Sequence, residues 1–328
     1  MKIWMDLEVF FDDKSSACRF KKYDQIFSTT PFNELKDHGE GNPQYVDKLV
    51  RYDKPDIILV KNKKPVLVLE ITREAPSGHN HTQRYGRIAC ASEEKVMSIF
   101  FAPWKSKKHG TYGRTVQKAA RDLICQQKMA QLHQIPVISI EWPTDQNYEV
   151  ESKLSISDKA LKKLVRELIK IKFDYKKSNE IKILQRKMTL KIPELYQLRP
   201  PSIKIVKTEE YVKKLKKKYP KIKLTKCFQC NTKTIIYNIG MTEKNCRRED
   251  PYGGTQFCYD YTECRSGVQV TEKHTNLVLR LPKIKTVVWK QKNANDPKLK
   301  RSIWYATANL IELKDGIIIA KSKVGKSE

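Results

Sequence analysis

The chain has 328 residues, a hydrophobic content of 39% and five tryptophans, which exclude a disordered protein and leave room for two domains. Its 65 lysines and arginines face 37 acidic residues, which gives a formal charge of +28. Self-repulsion at this charge opposes a compact state unless a polyanion shares the surface, so we expect nucleic acid to be the partner.

No stretch of the sequence approaches the ~18 consecutive apolar residues of a membrane span. The opening stretch MKIWMDLEVFFDDK reaches acidic residues too early for a signal peptide. We therefore expect a cytoplasmic protein without a membrane partner. Thiols stay reduced in that compartment, so disulfides are a poor explanation for the eight cysteines.

Apolar runs alternate with helical patterns in residues 1–150. The predicted strands are QYVDKLVRY (44–52), DIILVKN (56–62), PVLVLEIT (65–72), VMSIFFAP (96–103) and IPVISIEWP (135–143). The predicted helices are a loose segment at 16–38, a segment from about residue 80 to 95, and the amphipathic stretch 114–134. Strands enclosed by helices predict an α/β core with a mixed sheet.

Residues 151–226 form a different, strongly basic region. Amphipathic patterns at 155–188 and from residue 208 until Pro220 predict helices with lysine on one face and aliphatic residues on the other. Such helices pack through the apolar face and present cations to phosphates, so we interpret 151–226 as a helical connector that contacts DNA. A merely solvated basic face is the alternative.

Two acidic residues stand at the ends of the second and third predicted strands. Asp56 opens DIILVKN and Glu70 closes PVLVLE, and the basic turn KNKK joins the two runs as a hairpin. A hairpin brings such positions together at one edge of a sheet. Two carboxylates there can bind Mg²⁺, and a carboxylate so close to a core strand is expensive unless it has a partner or a function.

The segment Pro55–Asp56 followed by Glu70–Thr72 resembles the motif of the PD-(D/E)XK nuclease superfamily, which includes many type II restriction endonucleases. The order of elements over 35–142 is also similar to the αβββαβ core of that family. The resemblance implies a Mg²⁺-dependent phosphodiesterase in which Asp56 and Glu70 hold the metal. Thr72 stands where the family has lysine and cannot supply its positive charge.

The segment after Thr72 is dense in hydrogen-bond donors that can replace the missing lysine. On the helix predicted there, Arg84 and Arg87 share one stripe, and Gln83 lies four residues before Arg87. We expect Gln83 to position water or the scissile phosphate, and Arg84 or Arg87 to supply charge. The alternative is a surface helix whose polar face is only solvated.

Five of the eight cysteines cluster in residues 227–328, a region that otherwise predicts short strands, including one at KTVVWKQ (285–291). The clustered residues are Cys227, Cys230, Cys246, Cys258 and Cys264. CFQC contains a CxxC pair, whose spacing allows both thiolates to bind one tetrahedral zinc ion. Four of these five thiols are predicted to hold a structural Zn²⁺, with core thiols or an iron site as alternatives.

These patterns together predict a sequence-specific endonuclease of double-stranded DNA, similar to type II restriction enzymes. Its predicted fold is a restriction-endonuclease-like core at 1–150, the basic connector at 151–226, and a smaller β-rich zinc-binding domain for DNA recognition at 227–328. A homodimer is expected because both strands must be cut. The alternatives are a non-catalytic nucleic-acid-binding protein with a degenerate nuclease fold and a repair or junction nuclease.

Overall fold

The computed structural model divides the chain into two compact units, Met1–Leu198 and Arg199–Glu328. Each unit is described by itself. The structure describes residues 6–73, 84–107, 115–118, 120–196, 203–221, 224, 228, 232–240, 242–243, 258, 260–264, 275–291 and 308–319. None of the helices in these ranges is both long and apolar enough to cross a membrane.

The first unit is built on a mixed sheet with helices around it. Its strands are β1 (Leu7–Phe11), β2 (Phe32–Glu34), β3 (Ile57–Lys61), β4 (Lys64–Ile71), β5 (Met97–Ala102), β6 (Lys105–Lys107), β7 (Thr115–Gln117) and β8 (Val137–Glu141). Its helices are α1 (Lys14–Lys21), α2 (Gln44–Asp47), α3 (Tyr85–Glu93), α4 (Ala120–His133), α5 (Leu154–Ser157), α6 (Lys159–Lys170) and α7 (Asn179–Tyr196). Short 3-10 turns cover Gln25–Ser28 and Tyr175–Lys177.

Six of these strands form one sheet in the order β2-β1-β3-β4-β5-β8, while β6 and β7 form a separate pair. Strands β1, β3 and β4 are antiparallel neighbours, whereas β4, β5 and β8 run parallel. This mixed sheet enclosed by helices confirms the predicted α/β class.

The hairpin β3–β4 forms where the sequence predicts it. Its two strands are runs of apolar, largely β-branched residues, and only Asn62 and Lys63 lie between them. Both turn residues have positive φ, 49° and 58°, as a two-residue turn that matches the twist of the strands requires. The turn pairs Lys61 with Lys64, and an irregularity between Leu59 and Val60 then shifts the register by one residue, so that Ile57 pairs with Leu69.

The prediction of a strand at 44–52 is wrong, because this segment contains helix α2. Val46, Leu49 and Val50 are buried at helical spacing, and Pro43 precedes the first turn. The position beside β3 is taken instead by β1. The predicted loose helix at 16–38 is only partly present, since α1 ends at Lys21 and β2 begins at Phe32.

The two faces of the large sheet are covered by different helices. On one face, Ile58 and Val68 pack with Ala91 of α3 in a single apolar cluster. Glu70 lies two residues after Val68 and therefore belongs to the same face. On the opposite face, the guanidinium of Arg19 in α1 lies 4.0 Å from the ring centre of Trp142.

Helix α6 is attached to the first unit through a buried carboxylate. Asp158 precedes α6 and is 1% exposed. It accepts hydrogen bonds from Arg19 Nε at 2.6 Å and from the Tyr23 hydroxyl at 2.7 Å. Helices α6 and α7, from the region interpreted as a connector, therefore contribute to the first unit.

The second unit is a five-stranded sheet in the order β13-β12-β11-β10-β9. The strands are β9 (Ile203–Lys207), β10 (Lys233–Asn238), β11 (Thr275–Leu281), β12 (Leu310–Leu313) and β13 (Ile317–Ile319). Strands β10, β11 and β12 run parallel, and the two edge strands are antiparallel to their neighbours. Helix α8 (Thr208–Lys218), a helix at Thr286–Gln291 and a π-helical turn at Asp260–Cys264 accompany this sheet.

The prediction of a strand at 285–291 is wrong, since Thr286–Gln291 is helical. The β-branched run TVV favours a strand locally. In the structure, Asp315 caps the segment by accepting from the Thr286 backbone N–H at 2.6 Å and from its hydroxyl at 2.8 Å. The buried Trp289 packs into the core of the sheet, so tertiary contacts outweigh local propensity.

Candidate active site

The two acidic residues of the hairpin lie side by side on the sheet. Asp56 directly precedes β3 and Glu70 lies near the end of β4, and the pairing of Ile57 with Leu69 places them opposite each other. Asp56 is 6% exposed and Glu70 is 0% exposed. The backbone N–H of Ile71 donates to Asp56 Oδ2 at 2.5 Å, which fixes one carboxylate against the neighbouring strand.

Two arginines from the start of α3 bind these carboxylates. Nη1 of Arg87 donates to both oxygens of Glu70, at 2.8 and 2.9 Å. Nη1 of Arg84 donates to Glu70 Oε1 and to the carbonyl of Ile71, the latter at 3.2 Å. Their distances to the oxygens of Asp56 are 3.8 Å for Arg84 and 3.7 Å for Arg87. Both predicted arginines therefore face the acidic pair.

A third carboxylate at the site was missed by sequence reasoning. Asp53 is 6% exposed and accepts from Nε of Arg87 at 3.0 Å. Arg87 is thus held at two ends, by Glu70 and by Asp53, and its side chain is 14% exposed. Asp53 stands three residues before Asp56 in RYDKPD, but an acid in such a turn-like segment carries no local signal of burial.

The electrostatics of the cluster show an excess of negative charge. Burial, and then the nearby charge of Glu70, raises the pKa of Asp56 to about 8 even though Arg84 and Arg87 lower it. Burial opposes the charge of Arg87, but Glu70, Asp53 and Asp56 raise its pKa above its usual range. Three carboxylates face two guanidiniums, so the metal-free cluster favours a proton on Asp56.

The donor set fits Mg²⁺ in chemical type. This ion is commonly held by one or two carboxylates, with water and phosphate oxygens completing its shell. Asp56 and Glu70 would be the residues that hold it. Both oxygens of Glu70 already accept from guanidiniums, so Glu70 joins the ion only when at least one of these hydrogen bonds opens.

The remaining residues predicted around the motif are placed only in part. Thr72 is half-buried, and its backbone N–H donates to the carbonyl of Phe101 at 3.0 Å, which extends the pairing of β4 with β5. Gln83, predicted to position water or phosphate, lies outside the described residues.

A buried lysine close to the acidic pair was also missed. Lys118 is 1% exposed, and its ammonium lies 4.4 Å from the ring centre of Phe100. Phe100 is the register partner of Glu70 on the adjacent strand, so their side chains share one face of the sheet. In the sequence, Lys118 belongs to a basic stretch and cannot be distinguished from a solvated lysine.

The predicted zinc site falls mostly outside the described part of the chain. Cys227, Cys230 and Cys246 are not described, Cys258 is buried, and only the backbone of Cys264 is described. Within the described ranges, no group of three or more His, Cys, Asp or Glu side chains is arranged to bind a metal ion. The structural zinc therefore stays a prediction.

Comparisons with known proteins add no relative. No protein-family model, no curated protein and no solved structure matches this chain. Its resemblance to the nuclease superfamily rests on the residues of the motif, and an argument about function has to start from the site itself.

Proposed function

We propose that this protein is a Mg²⁺-dependent, sequence-specific endonuclease of double-stranded DNA that acts as a homodimer. The observation that supports the proposal best is the pair Asp56 and Glu70, buried side by side and contacted by Arg84 and Arg87. Burying several charges so close together opposes folding, so stability alone does not explain the cluster. Ionisable groups whose pKa is strongly shifted, such as Asp56, are concentrated at functional sites.

Asp56 and Glu70 are proposed to hold the ion. When bound, Mg²⁺ supplies an acidified water and neutralises charge on the phosphate. The two arginines then have different roles. Arg87 is held by Glu70 and Asp53 and keeps the carboxylates in place. Within the described residues, Arg84 hydrogen-bonds to Glu70 and to the Ile71 carbonyl, and it is more exposed.

Arg84 is therefore the residue that we expect to leave Glu70 and bind the scissile phosphate. Its side chain is 24% exposed, against 14% for Arg87. Release of Glu70 by Arg84 frees one acceptor position on Oε1, which still accepts from Arg87, and delivers a guanidinium to the phosphate. Lys118, against the ring of Phe100 on the same face of the sheet, is proposed to supply the second positive charge that the motif lacks at Thr72.

DNA as the substrate follows from the formal charge of +28. The second unit is proposed to read the target sequence, with a structural Zn²⁺ held by the clustered cysteines. Cleavage of both strands needs two copies of the active site, which is the reason for proposing a homodimer.

A second candidate function is a non-catalytic DNA-binding protein. One observation favours it: Arg84 and Arg87 together use both oxygens of Glu70, so the site resembles a satisfied ion-pair cluster. On this alternative the arginines stay on Glu70 and no ion enters. A repair or junction nuclease would share the same chemistry and differ in the DNA structure that it recognises.

Cleavage assays with matched variants separate these functions. The purified chain is incubated with plasmid and genomic DNA in Mg²⁺ or EDTA, alongside Asp56→Asn, which keeps an acceptor for the Ile71 N–H. The proposal expects discrete fragments in Mg²⁺, none in EDTA, and a loss of at least about 100-fold in the variant. Glu209→Gln, which removes one exposed carboxylate on α8, should cleave normally.

Lys118→Met and Lys118→Arg test the second cation. The Met variant should bind DNA normally but lose cleavage, and the Arg variant should retain part of it. Lys170→Met on α6, which removes an exposed lysine, is the control. Tight DNA binding by the wild type without cleavage in Mg²⁺ or Mn²⁺, on several DNAs, would establish the non-catalytic alternative.

A further inference from the structure

A small cavity in the second unit lies between helix α8 and one face of its sheet. Its volume is about 130 Å³. Val206 of β9, Leu215 of α8 and Ile236 of β10 form its apolar lining. Leu215 and Ile236 belong to the apolar cluster that joins α8 to this face, so the cavity is part of a packed interface and not a gap between loops.

One wall of the cavity carries an arginine in a fixed position. Arg280 of β11 and Glu312 of β12 are register partners, and Nε of Arg280 donates to Glu312 Oε2 at 2.7 Å. The Tyr211 hydroxyl donates to the same oxygen at 2.9 Å. The hydrogen bond from Arg280 to Glu312 uses Nε, so the terminal N–H groups of the guanidinium add further donors on this wall.

Three exposed lysines line the cavity around this arginine. Lys204 extends from β9, and Lys214 and Lys218 lie one turn apart on α8. Lys218 Nζ is 3.6 Å from Glu312 Oε1. Lys204 and Lys214 have no acidic partner within the described part of the chain. Four cations and two carboxylates, Glu210 and Glu312, thus line the cavity, so its lining carries a net positive charge.

We propose that this cavity receives one phosphodiester group of the DNA backbone. A guanidinium held by a carboxylate beside flexible ammonium groups is a common way to bind phosphate. The volume supports a single group, because sites that enclose a whole small molecule measure roughly 300–1,000 Å³. The choice of DNA rests on the proposed function, but the inference concerns binding and does not need cleavage.

The test compares two pairs of lysines on the same helix. Lys214→Gln/Lys218→Gln removes the α8 cations that line the cavity, and Lys213→Gln/Lys217→Gln removes an equal charge from exposed residues that do not line it. The full chain is titrated onto labelled duplex DNA in EDTA, so no cleavage occurs, across a salt series. Thermal melting confirms that both variants fold.

The cavity pair should weaken DNA binding by about tenfold and reduce the slope of log K against log salt by about 1, the value for one phosphate contact. The control pair should stay within about threefold of the wild type. Equal losses for both pairs would assign the effect to bulk charge and overturn the proposal, and so would unchanged binding by the cavity pair.

A free phosphate ester is the other source of the same chemistry. Calorimetric titration with a mononucleotide distinguishes a free phosphate ester from the DNA backbone. If the cavity binds a phosphodiester of DNA, the affinity for the mononucleotide should be negligible. Mononucleotide binding that only the cavity pair abolishes, with DNA binding unchanged, would overturn the assignment to DNA. If the wild type binds DNA through this cavity but never cleaves it, the proposed nuclease function fails and this inference stands.

Discussion

Removal of Arg87 should be far more damaging to the fold than removal of Arg84. Arg87 donates twice to Glu70 and once to Asp53, and its side chain is only 14% exposed. Arg87→Met leaves these buried carboxylates undercompensated, and breaking a buried ion pair from one side destabilises a protein by about 3–5 kcal/mol. For a unit of this size, each kcal/mol lowers the melting temperature by roughly 2–4 °C, so a drop of about 6–20 °C is expected.

Arg84→Met should lower the free energy of unfolding by only about 1–2 kcal/mol. Glu70 keeps both hydrogen bonds from Arg87 in this variant, and the lost guanidinium is partly exposed, which weakens its contribution. Its effect should appear instead in cleavage, where the loss should exceed tenfold at saturating DNA because a charge at the phosphate is missing.

Urea denaturation in EDTA measures both variants against the same baseline. Arg186→Met, which removes an exposed arginine on α7, is the control and should stay within about 0.5 kcal/mol of the wild type. The double variant Arg87→Met/Glu70→Gln should be more stable than Arg87→Met alone, because it removes the uncompensated charge. Equal destabilisation by Arg84→Met and Arg87→Met would refute the assignment of an anchoring role to Arg87.

Three further outcomes are expected. Burial raises the pKa of Asp56 to about 8, so protonated Asp56 stabilises the fold fully in acid and this stabilisation is lost as the pH rises towards 8. In EDTA, the free energy of unfolding of the wild type should therefore fall by about 1.4 kcal/mol per pH unit between about pH 5 and about pH 7. Asp56→Asn should remove this contribution to the slope, and an unchanged slope would contradict the reasoning. Asp158→Ala should cost about 3–5 kcal/mol in urea denaturation because the largely buried Arg19 loses its carboxylate, and a change below about 1 kcal/mol would be inconsistent with that contact. Burial raises the pKa of Cys90 to about 12, whereas Cys18 is exposed. Iodoacetamide at about pH 8 should therefore label Cys18 at least about 100-fold faster than Cys90, as measured by peptide mass spectrometry. Comparable labelling rates would argue against burial of Cys90.

The hairpin was predictable because its signals are local. Two β-branched runs and a short turn specify β3 and β4. The register shift between Leu59 and Val60, which was not predicted, then sets Asp56 opposite Glu70. Strand β1 has no such signal. Its sequence LEVFF lies among acidic residues, and it is a strand because it pairs with β3, far away in the chain.

The same distinction applies to the site. Arg84 and Arg87 were predictable because helical spacing puts both on one stripe of α3. Asp53 and Lys118 were not, because their roles come from tertiary contacts with Arg87 and with the ring of Phe100. A single sequence shows which residues share an element, but it does not show which elements meet.

The charge balance of the site bears on the choice between an enzyme and a binding protein. A cluster that serves stability alone would gain from equal numbers of buried acids and bases, because each unmatched carboxylate must stay protonated or unpaired. Asp53, Asp56 and Glu70 exceed the two arginines by one charge, and burial together with the nearby charge of Glu70 raises the pKa of Asp56. A divalent cation balances the three carboxylates once Arg84 leaves, because the ion and Arg87 together carry three positive charges. Within the described part of the chain, Arg84 hydrogen-bonds through Nη1 alone, which is a geometry suited to that movement. Its effect on cleavage relative to stability is therefore the measurement that distinguishes the two functions.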